Sequence, residues 1–274
     1  MSTLKIARRT SQIVVALGIP ALYWLGVQEW EYIRGNFLSF SIFGYPVADP
    51  LAALQVAMGG NLPWRMVLGG GTVLAVAFVL GTVFCSWACP FGLLSELVAG
   101  RKRVAAKNSG WRVKWLVTGF FLIAVAVFGL PPLANQVSLP GWYSRLFQTW
   151  LNQRELAGLG FVLVVGALVV EILVGRRVWC RFVCPQSVLL NLAHRFSPVA
   201  LRVRFAPSRC SCAKGDEMCL RACTLGLEPR LAGKGLEWQC STCGDCTGAC
   251  AQRGKALTLG FGREAGASDE KKSS

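Results

Sequence analysis

The sequence predicts a membrane protein of four transmembrane α-helices, arranged as a duplicated helix pair, with a small cysteine-rich α+β domain behind it. Three observations carry this prediction. Of 274 residues, 53% are hydrophobic and only 16% charged, with a mean hydropathy of +0.46, whereas a soluble domain carries about 25% charged residues. The apolar residues fall in four long runs. The twelve cysteines come in tight groups and not in the even spread of a disulfide framework. A disordered chain and a wholly soluble enzyme are excluded. The one histidine, His194, excludes haem held by paired histidines, and no C-x-x-C-H is present for covalent haem.

A span needs about 20 mostly apolar residues. The first runs from about Ser11 to Trp30 with Pro20 as a kink, and the second from about Met66 to Trp87. The third covers about Trp111 to Leu130, with Arg112 and Lys114 placed to snorkel at one end, and the fourth Leu156 to Val174. Glu171 near the end of the fourth is an intramembrane acid, a functional candidate by default. Arg176 and Arg177 are close enough in sequence to neutralise it at the interface. The first span starts with positive charge, as a signal peptide does, but no small-x-small cleavage site follows, so it is read as an uncleaved anchor.

Orientation follows from Lys and Arg in the short loops. Lys5, Arg8 and Arg9 precede span one, and Arg101, Lys102, Arg103 and Lys107 lie between spans two and three. The opposite loops hold Arg34 and Arg65, and Arg145 and Arg154. Both termini are therefore expected in the cytoplasm, in a cell inner membrane crossed four times. The net charge of +15 is explained by the membrane and implies no nucleic-acid partner. In the outward loops, Asp49-Pro50 has the form of a helix N-cap. Trp142, Leu146 and Trp150 have the spacing of a helix lying in the interface.

The ends of spans two and four repeat one another. F-C-S-W-A-C-P begins at Phe84 and W-C-R-F-V-C-P at Trp179, with Cys85 and Cys180 95 residues apart. Each unit follows an outward loop and a span, as in a parallel duplication. Cysteines at i and i+4 share one helix face, so Cys85 with Cys89 and Cys180 with Cys184 each form a two-thiol pincer. Pro90 and Pro185 interrupt the helix just beyond. The plain alternative is that these cysteines are small apolar residues that only pack. As ligands, all four would supply a tetrahedral metal or an additional iron–sulfur centre.

From about Ser197 the apolar runs stop, and eight cysteines follow within forty-one residues. Cys240, Cys243, Cys246 and Cys250 read C-x-x-C-x-x-C-x-x-x-C. In bacterial ferredoxins this run gives three thiolates to one [4Fe–4S] cluster and the fourth to its neighbour. Gly244 and Gly248 supply backbone freedom around such a cluster. Cys210, Cys212, Cys219 and Cys223 keep the final x3 step, but their front is stretched by an insert. By cross-ligation one cluster takes Cys210, Cys212, Cys219 and Cys250, and the other Cys223, Cys240, Cys243 and Cys246. Four thiolates also suit zinc. The organisation is a transmembrane domain over 1–199, a two-cluster ferredoxin-like α+β domain over 200–259 and a disordered tail over 260–274.

The order of these motifs, with R-R-x-x-Q at Arg8–Gln12 and A-D-P-L-A-A-L-Q at Ala48–Gln55, resembles the NapH/MauN family of membrane ferredoxin-type proteins. The resemblance runs from Arg8 to about Phe261. It implies an iron–sulfur electron carrier. NapH-type members oxidise quinol for periplasmic nitrate reductase, and MauN-type members serve methylamine utilisation. The irregular first cysteine group departs from the NapH pattern, C-x-x-C-x-x-C-x-x-x-C-P, and leans the resemblance toward MauN. Expected partners are the lipid bilayer, quinone and a periplasmic or membrane redox protein. No acid–base dyad, nucleophile or phosphate loop is present, so electron transfer is favoured over substrate conversion. The rival reading is maturation or metal handling for a periplasmic enzyme through the C-x-x-x-C-P thiols, and a third is redox sensing through labile clusters.

Overall fold

The computed structural model describes residues 3–26, 33–36, 39–60, 63–98, 110–128, 136–153, 158–212, 218–251 and 253–262. The loop basics Arg101, Lys102, Arg103 and Lys107, the insert residues 213–217 and everything after 262 lie outside them. The chain is mostly helical. Helix α1 covers Thr3–Gly26, followed by strands β1 (Ile33–Asn36), β2 (Ser39–Ile42) and β3 (Tyr45–Ala48), which form an antiparallel meander. Helices α2 (Pro50–Met58), α3 (Trp64–Leu80), α4 (Val83–Trp87), α5 (Pro90–Val98) and α6 (Gly110–Phe128) come next. Then come α7 (Leu139–Gln153), α8 (Gly158–Val174), a single π turn (Trp179–Val183) and α9 (Gln186–Phe196).

Local chemistry sets the breaks. Asp49 caps α2, its carboxylate accepting from the Ala52 N–H at 3.0 Å, and Pro50 occupies the first turn. Pro20 lies inside α1 and lacks the N–H that would bond the carbonyl of Ala16. The Tyr143 hydroxyl donates to that carbonyl instead, at 3.0 Å. Gly81 and Gly175, with φ of 74° and 70°, end α3 and α8. The second and fourth apolar helices therefore stop at 17 residues each, ahead of the C-x-x-x-C-P segments and not through them. Among the described residues one helix, α6 with 19 residues, is long and apolar enough to cross a membrane.

The two halves pack by exchange. Each unit reads helix, loop with a short helix, apolar helix, cysteine turn, helix: α1 to α5, then α6 to α9. Helix α9 of the second unit lies on α3 of the first, and α5 of the first lies on α8 of the second. Helix α2 reaches α9 and α6, while α7 reaches α5 and α1. Each contact that one half makes on the other thus has a counterpart. The outward loops are not surface ornaments. A Cβ on Gly69 of α3 would lie 2.8 Å from the Ala48 nitrogen, and one on Gly160 of α8 2.0 Å from the Trp142 ring. Glycine is what lets β3 and α7 approach these helices so closely. Trp142 and Leu146 accordingly pack inward, while Trp150 is exposed.

Strands β4 (Leu201–Phe205) and β5 (Leu257–Phe261) pair antiparallel and frame the C-terminal unit. Between them lie α10 (Met218–Ala222), α11 (Asp245–Cys250) and short 3-10 turns. The ordered chain runs through Phe261, so Gly260 and Phe261 belong to a paired strand and not to a disordered tail. Strand pairing there satisfies the main chain and buries Leu257.

Candidate functional site

The two C-x-x-x-C-P segments share a backbone device. The Cys89 N–H donates to the Phe84 carbonyl at 3.1 Å, and the Cys184 N–H donates to the Trp179 carbonyl at 2.9 Å. Both are five-residue steps, one residue wider than an α-helical turn. Each widened turn ends against a proline, which has no N–H to continue the helix. Cys89 and Cys180 pack in one apolar cluster with Phe91, Leu139 and Val164. Cys85, Cys89 and Cys184 line a common cavity with Asp49, Gln186 and Ser187. All four thiols interact electrostatically with one another. Burial, then the neighbouring Cys180, pushes the Cys184 thiol up to about 11. Burial likewise holds Cys89 well above its ordinary range.

The eight C-terminal thiols fall into two further sets. Cys210, Cys212, Cys219 and Cys250 line one space, with Arg230 and Arg253 also in its lining. Cys223, Cys240, Cys243 and Cys246 line another. Main-chain N–H groups already aim at sulfur in both: Leu257 at Cys250 (3.3 Å), Leu227 at Cys223 and Thr242 at Cys240 (3.4 Å each). Such donors suit a thiolate, and around a cluster they tune its potential. Among the described residues no three His, Cys, Asp or Glu side chains are gathered as a single metal ion would need. Gly244 takes φ of 77°, as a tight wrap between Cys243 and Cys246 requires. Gly248 instead lies within α11, its N–H bonded to the Gly244 carbonyl. Burial raises the thiols of Cys223, Cys240 and Cys246. Burial and then Asp245 bring Cys243 up to about 11.

The C-terminal unit docks on the cysteine turns themselves. Thr82 donates to the Cys240 carbonyl and Ser86 to the Ser241 carbonyl, the latter at 2.6 Å. From the other turn, Arg181 donates to the carbonyls of Leu225 and Gly226 at 2.9 and 3.1 Å. Cys180 packs against the C-terminal core as well as the helical one. Arg8, which the charge argument assigns to the membrane surface, is instead a clamp with no exposed surface. It holds Glu96 of α5 through two bonds of 2.7 Å and Asp245 of α11 at 2.9 Å. Despite its burial, Glu96 is held below the usual carboxylate range by Arg8. The position of Arg8 four residues before Gln12 in R-R-x-x-Q gave no sign of that role. Glu171 accepts from the Trp179 N–H at 3.2 Å with Arg177 in electrostatic reach, whereas Arg176 lies against Gly226. His194 is buried beside Gly81. Its burial, then Arg202, lowers it to about 4, so it is neutral.

A family model described as a 4Fe-4S binding domain matches residues 62–108 and 156–204, one match on each unit. The chain is 25% identical to the ferredoxin-type protein NapH of Escherichia coli, over 90% of its own length and 86% of that protein's. It is 27% identical to the methylamine utilization ferredoxin-type protein MauN of Methylorubrum extorquens, over 83% and 78% of the two chains. To MauN of Paracoccus denitrificans it is 29% identical, over 73% and 69%. No solved structure matches the chain. Over most of its length the chain is thus similar to ferredoxin-type proteins of the NapH and MauN kind, with a 4Fe-4S domain match on each of its two units.

Proposed function

We propose that the chain is a membrane-anchored iron–sulfur electron carrier. In this reading it passes electrons between the quinone pool or cytoplasm and a periplasmic oxidoreductase system of the methylamine-utilisation or nitrate-reductase type. The C-terminal unit holds two [4Fe–4S] clusters. Cys210, Cys212, Cys219 and Cys250 hold one, and Cys223, Cys240, Cys243 and Cys246 the other. The observation that carries the reading is the division of the eight thiols into two separate cavities of four. When bound, such a group supplies a one-electron couple. The protein's own part is to hold the thiols, to give up their protons on loading, and to exclude water from the sulfurs.

Four membrane passes by α1, α3, α6 and α8 are part of this reading. It is supported by the large apolar side chains these helices expose, among them Leu17, Val76, Leu116, Phe120, Phe128 and Leu173. Large apolar side chains exposed in this number on helices are what a lipid-facing surface carries. Helix α2 and β3 would then be re-entrant, which is tolerated where the backbone is buried in protein.

Protein purified without oxygen should hold about eight iron atoms in this unit, four for each cluster. Cys243→Ser should remove one cluster's EPR signal more completely than Cys212→Ser removes the other's, because the C-x-C entry is irregular. Stoichiometric zinc with no iron would overturn the carrier reading. Alkaline phosphatase fused after Gln55 should be active and after Ser197 inactive; the reverse would overturn the orientation.

A further inference from the structure

We propose that Cys85, Cys89, Cys180 and Cys184 together hold a third iron–sulfur cluster, set against the Cys223, Cys240, Cys243 and Cys246 group. The first ground is convergence. The exchange of α5 and α9 between the halves brings both cysteine turns to the centre of the helical domain. Cys89 and Cys180, one from each turn, lie in one apolar cluster, and Cys85 and Cys184 interact across the same centre.

The second ground is charge. Two cations are buried at this centre, Lys114 with 3% and Arg177 with 1% of its surface exposed. The Lys114 ammonium donates to the Ser187 hydroxyl at 2.9 Å. Among the described residues it pairs with no carboxylate, and the acidic groups in its reach are the thiols of Cys184, Cys85 and Cys180. Arg177 donates to the Cys180 sulfur at 3.4 Å and to Ser95 at 3.2 Å, while its other terminal nitrogen, Nη1, is buried with no partner. Glu171 offers it one charge, and Glu96 is already taken by Arg8. Buried charge is costly unless paired. Four neutral thiols leave Lys114 without a counter-charge and Arg177 with Glu171 and a shared Glu96, whereas four thiolates around iron carry net negative charge and pair both cations.

The third ground is fit. The Gly92 N–H points at the Cys89 sulfur from 3.4 Å, a donor of the kind seen at the C-terminal thiols. A Cβ on Gly92 would lie 2.9 Å from the Cys85 carbonyl and 3.1 Å from the Arg177 guanidinium, so a side chain there would crowd the centre. Through Cys180, Thr82, Ser86 and Arg181 the centre abuts the loops that carry Cys223 and Cys240. The inference uses the carrier reading only for the purpose of the centre; its occupancy stands on the four thiols and two cations alone.

The test is iron, sulfide, zinc and copper analysis of the full chain, purified anaerobically in detergent, with Mössbauer and EPR spectra and a redox titration. Wild type should hold about twelve iron atoms, as three four-iron clusters do. Cys89→Ala with Cys180→Ala should lose about four of them and one spectral component, a different one from that lost on Cys243→Ser. Lys114→Met should keep the iron and lower the midpoint potential of that component alone, because a neighbouring cation favours the reduced, more negative state; Lys114→Arg should restore it. A wild-type count of about eight, all assignable to the C-terminal thiols, would overturn the proposal, and needs no variant to fold. So would zinc or copper bound at the four thiols, or a potential unmoved by Lys114→Met. A wild-type count of only about four irons, lost with Cys89 and Cys180 and kept in Cys243→Ser, would instead support this centre and sink the two-cluster reading of the C-terminal unit.

Discussion

The two cysteine turns have the same backbone and different chemistry. Both close a five-residue step onto the second cysteine and stop at a proline. Yet the first presents Thr82 and Ser86 to the C-terminal unit, and the second, at the positions 95 residues on, presents Arg177 and Arg181. The neutral turn grips the Cys240 loop through hydroxyls. The charged turn grips the loop after Cys223 and points its other arginine at a sulfur. Their division of labour shows what duplication supplies and what divergence adds. A repeated turn places thiols symmetrically, whereas charge has been concentrated on one side, where an anionic partner would have to be held. Glu96 sits at a position whose counterpart in the second unit is Asn191, so the Arg8 clamp too belongs to one half only.

Breaking the clamp should have the largest effect. Glu96→Ala leaves Arg8, which has no exposed surface, with Asp245 alone, and removing one partner of a buried pair costs about 3–5 kcal/mol. Thermal unfolding in detergent should show it, and a loss under 1 kcal/mol would mean that water reaches the pair (about the value of an exposed bridge). The pH dependence has a definite sign. Glu96 is held lower in the folded state than its ordinary value, so its contribution is complete above the usual carboxylate range and is lost as pH falls through and below it. His194 acts in the same direction at higher pH. Its folded value of about 4 lies below the ordinary 6.5, so wild type should weaken from about pH 6.5 downward. His194→Phe should flatten that part of the curve, and an unchanged curve would show the imidazole to be solvated.

The two close approaches of loop to helix should differ next. Gly69→Ala meets main chain, the Ala48 nitrogen and Pro46 carbonyl, which cannot step aside. Gly160→Ala meets the Trp142 ring, whose indole is held by a bond to the Gln136 carbonyl at 2.6 Å. Overpacking costs about 1–3 kcal/mol, with Gly69→Ala expected at the upper end and Gly160→Ala below it. Equal costs would indicate that the indole is as fixed as backbone.

The docking contacts should give the smallest and most local effect. Arg181→Ala removes a charged donor from two carbonyls and should cost about 1.5–3 kcal/mol, against about 1 kcal/mol for Ser86→Ala. Hydrogen exchange should rise around 225–226 in the first variant and around 240–242 in the second. The same pattern in both would mean that the C-terminal unit undocks as a whole and that the two turns do not act separately.

Much of the site is legible along the chain because its determinants are local. The spacing Cys240, Cys243, Cys246, Cys250, the repeat of C-x-x-x-C-P and the Asp49-Pro50 cap each need only a few neighbouring residues to be recognised. Apolar composition announces the long helices, but not their ends. Gly81 and Gly175 stop α3 and α8 short of the cysteine turns, since a left-handed glycine ends a helix whatever the hydropathy beyond it. Other features depend on partners far away in sequence. Arg8 and Lys114 read as surface charges because isolated basic residues near a helix end ordinarily reach water. One meets Glu96 and Asp245, 88 and 237 residues on, and the other faces thiols from both units. Sequence by itself determined which residue types are present, how the thiols are spaced, and that the unit is repeated. Only the tertiary structure decided that the halves exchange α5 and α9, that α2 and α7 fold inward, and that the buried cations meet the four thiols. The reason is physical: spacing fixes what one turn of chain can present, whereas the pairing of turns is settled by packing between surfaces that the chain brings together only when folded.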